Sequence, residues 1–139
     1  MVKVNVQIVK AKNLPDMDFL DKSDPYVKIV MGGEEVARTH VVKGSQNPAW
    51  DYKAMIDWDG QSDLIFSVWD SDSITPDDWI GQFQMEAGDV KDFQGTVPLE
   101  MGIKARANTT TDFGQMMIRT WLEAPSEGCF AGCSKCSVM

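Results

Sequence analysis

Two short stretches of this chain hold most of its chemistry-bearing side chains. "WDSDSITPDDW", Trp69 to Trp79, carries Asp70, Asp72, Asp77 and Asp78 without a base, and "DMDFLDKSDPY" carries Asp16, Asp18, Asp21 and Asp24. Like charges this close repel one another, so the crowding calls for a purpose. Three readings are open: oxygen ligation of a cation, a carboxylate pair for glycoside hydrolysis, and a solvated turn in which Asp serves only local geometry. Hydrolysis needs a sugar cleft and one acid held protonated by an apolar wall, whereas these loop tips read as open. The helix-flanked calcium loop fails on register. Started at Asp16, its glycine position is Asp21 and its terminal glutamate position Val27; started at Asp70, these are Thr75 and Gly81. The lone histidine, His40, sits in a strand pattern with no Ser or Cys nucleophile beside it, so a surface or packing role is expected. No catalytic set is assembled, and the chain is read as non-enzymatic.

The elements that must position these acids are short runs with an apolar residue at every second place, as a half-buried strand requires. "VKVNVQIV" (Val2 to Val9) is the clearest, with Val2, Val4, Val6 and Ile8 on one face. Similar runs are Tyr26 to Met31, Val36 to Val42, Tyr52 to Trp58, Leu64 to Trp69, Ile80 to Glu86, Thr96 to Glu100 and Gln115 to Glu123. Turn material such as "GGEE", "GSQNP" and "DGQSD" separates them, and only "AGDVKDF" has room for one helical turn. The expected fold is therefore all-β, an eight-stranded antiparallel β-sandwich. If sequential strands alternate in direction, the connections at 10–25, 43–50 and 70–79 share one end of the sandwich. Two of these three carry the acids. Acids distant in sequence are thus gathered at one pole, where calcium fits best, because it accepts about six to eight oxygen ligands in flexible geometry while magnesium keeps its waters.

Composition narrows the partners. The 139 residues suffice for one domain with its own core. Thirteen Lys and Arg against twenty-one Asp and Glu leave a formal charge of −8, which disfavours nucleic acid, and an anionic bilayer too unless the acids are masked. The first twenty residues lack the apolar core and cleavage site of a signal peptide, and no stretch is long and apolar enough to span a bilayer, so a cytosolic protein is expected. Residues 102–113, "GIKARANTTTDF", form a polar connection.

Taken in order, "LPDMDFLDKSDPYVKI", "GSQNPAWD" and "VWDSDSITPDDWIG" resemble the signature segments of C2 domains, the calcium-dependent phospholipid-binding modules of conventional protein kinase C and synaptotagmin. The resemblance covers about residues 1–123. It implies that two or three calcium ions are held by Asp18, Asp24, Asp70, Asp72 and Asp78, with further oxygens from the backbone carbonyls of Met17 and Ser71 and from the Thr75 hydroxyl. Asp16, Asp21 and Asp77 match no ligand position and are expected only to deepen the negative potential. Phe19 and Ile74 occupy places where family members dip apolar residues into the membrane interface, and Leu20, apolar beside the same ligands, is expected to insert with them, while Trp69 and Trp79 are expected to anchor the loop to the sandwich. The first strand leads straight into the first acidic loop, which is similar to the family's type II topology and puts both ends of the sandwich at the pole opposite the acids. A second, phosphoinositide-selective site of some C2 domains matches Tyr26, Lys28, Arg38, His40 and Trp69, with its basic residues thinned. The implied mechanism is an electrostatic switch, in which calcium turns a pole that repels anionic phospholipid into one that binds it.

The tail from Pro125 is rich in Gly, Ser and Cys, so residues 1–124 are expected to form the domain and 125–139 a flexible extension. It ends in "CSVM", which fits the CaaX pattern for prenylation of Cys136, its terminal Met favouring farnesyl. One prenyl chain binds membranes only reversibly, which makes Cys129 and Cys133 candidates for palmitoylation as the second signal. A zinc knuckle would need a fourth ligand. Fully extended, the eleven steps from Pro125 to Cys136 reach about 36 to 40 Å, comparable to the height of a sandwich. Anchor and acidic loops then serve either one membrane or two. The sequence is thus read as a calcium-dependent binder of anionic membranes, at the cytoplasmic face of the plasma membrane or of vesicles with a cytosolic pool. The alternative is an adaptor that binds an unidentified protein partner while its lipidated tail sets location.

Overall fold

In the computed structural model, residues 1–14, 23–101 and 114–123 are described. They build an antiparallel β-sandwich of nine strands: β1 (Val2–Lys12), β2 (Pro25–Met31), β3 (Glu34–Arg38), β4 (Ala49–Trp58), β5 (Leu64–Asp70), β6 (Asp78–Met85), β7 (Asp92–Pro98), β8 (Glu100–Met101) and β9 (Gln115–Leu122). One sheet has the order β4-β1-β9-β7 and the other β3-β2-β5-β6-β8. "AGDVKDF" supplies a single 3-10 turn, Ala87–Asp89. No helix among the described residues is long and apolar enough to cross a membrane.

Alternation sorts the side chains as expected. Val4, Val6 and Ile8 of β1, Val27 and Ile29 of β2, Leu64, Phe66 and Val68 of β5, and Met116 and Ile118 of β9 meet between the sheets. Each contributes roughly 1.5 to 3 kcal/mol through its burial. The same parity carries Asp70, two residues beyond Val68, toward the interior at the end of β5. The hairpin from β2 to β3 closes through Gly32 and Gly33, with φ of +60° and +84°. A type I′ turn, which matches the strand twist, needs positive φ at both places, and glycine adopts this without steric cost.

Three details depart from the sequence reading. β1 runs on to Lys12, and its register skips Val9 against both β4 and β9. This bulge reverses the alternation, so that Ala11 is buried while Lys10 and Lys12 face outward. Expected strand Thr96 to Glu100 is instead one ascending segment shared by two sheets. It pairs with β9 as β7, crosses at buried Leu99, whose N–H donates to the Gly114 carbonyl at 2.9 Å, and pairs with β6 as β8. The third strand stops at Arg38, four residues short of Val42, leaving isolated bonds from Thr39 N–H to the Val27 carbonyl (2.9 Å) and from Val42 N–H to that of Pro25 (3.0 Å).

Sequential strands alternate in direction, as expected. Pro25 and Asp70 pair at one pole, while Val2 pairs with Trp58 and Val4 with Leu122 at the other, where the Glu123 N–H donates to the Lys3 carbonyl at 3.0 Å. Both ends of the sandwich therefore lie opposite the acids. The chain also leaves Met101 ascending and re-enters β9 at the acidic end.

Candidate functional site

The acidic pole is assembled by pairing between strands. Asp70 ends β5, Asp78 opposes it at the start of β6, and Asp24 immediately precedes Pro25, which opposes Asp70 on β2. Asp24 ties three segments together. Its N–H donates to Asp70 Oδ1 at 2.8 Å, its Oδ1 accepts the Gly44 N–H at 2.7 Å, and its carbonyl accepts the Ser71 N–H at 3.0 Å. Residues 39–48 then lace the two flanks of the first acidic loop. Ser45 N–H donates to the Ser23 carbonyl, Leu14 N–H to that of Gln46, and Asn13 N–H to Asn47 Oδ1, each at 3.0 Å. Asp16, Met17, Asp18, Phe19, Leu20 and Asp21 lie outside the described residues, as do Cys129, Cys133 and Cys136.

Asp70 is 6% exposed. Burial, reinforced by the charges of Asp24, Asp78 and Asp72, holds its carboxyl above the ordinary value, although the Asp24 N–H pulls the other way. Burial and three like charges both disfavour the ionised form of this carboxyl, and a hard cation bound beside it would relieve both burdens at once.

The turn from Ser71 to Asp77 is closed by its own acids. Asp72 Oδ1 accepts the N–H groups of Ile74 (2.9 Å) and Thr75 (3.2 Å), and its Oδ2 accepts the Thr75 hydroxyl at 2.7 Å. In this arrangement no three acidic, His or Cys side chains among the described residues stand together as a metal-holding group. Ile74 at the tip is 91% exposed.

Asp77 is more than an addition to the field. One of its oxygens accepts the Asp72 N–H at 2.9 Å and the other accepts the Tyr26 hydroxyl, which locks the turn onto the outer face of the five-stranded sheet. The Tyr26 hydrogen bond, chiefly, holds the Asp77 carboxyl low, while burial and then that bond push the Tyr26 hydroxyl up to about 12. Sequence reading missed this pair because its members stand 51 residues apart.

That outer face brings together Tyr26, Lys28, Arg38 and Trp69. Lys28 Nζ lies 4.4 Å from the Trp69 ring and the Arg38 guanidinium 5.4 Å from that of Tyr26. The Arg38 fork is committed to Glu35, donating from Nε at 2.6 Å and Nη2 at 2.8 Å. His40 is exposed beyond the end of β3. Trp69 and Trp79 both donate through Nε1 to the Ser67 hydroxyl, at 2.8 and 3.1 Å, which pins the two ends of the acidic turn to one point of the sheet.

This sandwich, with acids from separate loops at one pole, defines a class of protein. The C2 domain model matches residues 2–100, and the chain belongs to the C2 domain family. It is 35% identical over 124 residues to a C2 and GRAM domain-containing protein of Arabidopsis thaliana, covering 85% of this chain but 12% of that protein's length. Its fold superposes on a C2 domain of plant extended synaptotagmin 1 with a TM-score of 0.73 at 21% identity, covering 88% of this chain and 94% of the other. The calcium-bound pair of C2 domains from extended synaptotagmin 2 gives 0.65 at 21% identity, over 87% of this chain and 45% of the other.

Proposed function

We propose that this protein binds calcium at the acidic pole and thereby docks onto anionic phospholipid membranes, without catalysing a reaction. The observation that supports this best is Asp70, which is buried and feels the charges of Asp24, Asp78 and Asp72, with an apolar side chain, Ile74, exposed on the turn that follows it. Asp24, Asp70, Asp72 and Asp78 are the proposed ligands, joined by Asp18, Met17 and Ser71 through their carboxylate or carbonyl oxygens and by the Thr75 hydroxyl. Bound calcium, two or three ions, supplies positive charge at this pole and open positions for lipid phosphate oxygens. The residues do the rest. Asp24 holds the three segments in register, Asp77 and Tyr26 fix the position of the third, and Ile74, with Phe19 and Leu20, enters the interface. Lys28 and Trp69 form a weak headgroup contact beside Tyr26, Arg38 and His40.

Residues 1–124 are proposed as the membrane-binding body and 125–139 as a tail that carries prenylated Cys136 with palmitoylated Cys129 and Cys133. The protein then resides at the cytoplasmic face of the plasma membrane or of vesicles, with a cytosolic pool. Calorimetric titration with calcium, with and without phosphatidylserine vesicles, tests the core of this reading. Binding of calcium that tightens with vesicles, and that Asp70→Asn with Asp72→Asn abolishes, is expected; absence of calcium binding overturns it. Mass spectrometry of protein made in a prenylating cell reads the tail, with Cys136→Ser as the control.

A further inference from the structure

The bulge at Val9 has turned two lysines onto the outer face of the four-stranded sheet, where nothing in the calcium reading employs them. Lys10 and Lys12 border a recess of about 110 Å³ with Ala11, Thr96, Gln115 and Met117. Lys10 pairs across the ladder with Met117 and Lys12 with Gln115, while Thr96 stands opposite Met117 on β7. The recess is therefore built by three adjacent strands. No ion pair joins Lys10 or Lys12 to a carboxylate among the described residues, where the two ion pairs found are Lys3 with Asp57 and Arg38 with Glu35. Lys53 and Arg119 continue the basic surface on the same face, each paired with Gln7 of β1, and the nearby Asp51 accepts the Gln7 amide at 2.7 Å. In a chain of net charge −8 this is a local inversion of sign. Ammonium groups, a hydroxyl and an amide around one concavity are the donor set of a phosphate site, and at about 30 Å³ per water molecule the recess has room for a phosphate group.

We infer that this recess binds a phosphate group independently of calcium. The phosphate reaches it either from a soluble ion or from a lipid headgroup, and the site lies on the opposite sheet from the Lys28 and Trp69 patch. Lys10 and Lys12 supply charge, and Thr96 and Gln115 supply directed donors. The register shift explains how the site arises. Without the bulge, the alternation set by Val4, Val6 and Ile8 would aim both lysines into the core.

The test uses the full chain in a calcium chelator, so that it stands whether or not the acidic pole binds calcium. Amide NMR shifts are followed during titration with inorganic phosphate and, separately, with phosphatidylcholine vesicles containing phosphatidylinositol 4-phosphate. Shifts confined to residues 10–12, 96 and 115–117 are expected. Response to both probes assigns the recess to phosphate from either source, response to vesicles alone assigns it to a headgroup, and response to phosphate alone assigns it to a soluble ligand. Lys10→Gln with Lys12→Gln is expected to weaken vesicle binding about fivefold per lysine, and Lys53→Gln, an equal charge change per residue outside the recess, to weaken it less. Equal losses per lysine from these variants, or no localised shift with either probe, overturn the inference. Because all three lysines are exposed, the variants are expected to fold, and far-UV circular dichroism checks this.

Discussion

Replacing Ile74 with alanine separates membrane contact from cation binding. The side chain is 91% exposed, so the fold has gained almost nothing from it, and its backbone N–H, which donates to Asp72 Oδ1 at 2.9 Å, survives the substitution. Folded stability is therefore expected to stay within about 0.5 kcal/mol of the original. Three carbons are removed, each worth roughly 0.8 kcal/mol on transfer out of water. Full insertion would forfeit about 2.4 kcal/mol, or roughly fiftyfold in affinity. Insertion limited to the headgroup boundary forfeits less, about tenfold. Sedimentation with phosphatidylserine vesicles in saturating calcium reads this loss, while calorimetry without lipid should return unchanged calcium affinity. Vesicle affinity equal to that of the unaltered protein would refute insertion of this loop.

Further substitutions probe the pole itself. Burial, together with Asp24, Asp78 and Asp72, raises the folded Asp70 carboxyl above its ordinary 3.8, so the folded state takes up its proton before the unfolded chain does. With calcium absent, this group's contribution to stability rises as pH falls through the folded value toward 3.8 and is lost again on the way back up. Asp70→Asn should therefore flatten that part of the pH profile and stabilise the calcium-free protein at neutral pH, as read by thermal unfolding; a destabilised variant with an unchanged profile would count against the repulsion argument. Tyr26→Phe removes the hydroxyl that holds Asp77 and should cost about 1 to 2 kcal/mol in urea unfolding. Asp77→Asn should cost a similar amount, and the double variant little more than either. Additive losses would show that the two residues act separately.

Much of this architecture is legible without coordinates. Period-two runs such as Val2 to Val9 and Leu64 to Trp69 report strands because successive side chains must face opposite sides, and counting those strands is enough to bring the two acidic stretches to one pole. Patterns of this kind are local and survive small errors at strand boundaries. The extents of the third and seventh strands are not legible in this way, because tertiary pairing decides where a ladder ends.

The sequence alone thus determined the class of fold, the pole at which the acids meet and the exposed apolar tip at Ile74. Tertiary structure decided the rest, in each case through register. The bulge at Val9 turned Lys10 and Lys12 outward, Leu99 carried one strand across both sheets, and Asp77 found Tyr26 from 51 residues away. Alternation states which residues can share a face; only the pairing of distant strands states which of them touch, and at Asp70 that pairing made a loop-edge carboxylate into a buried one.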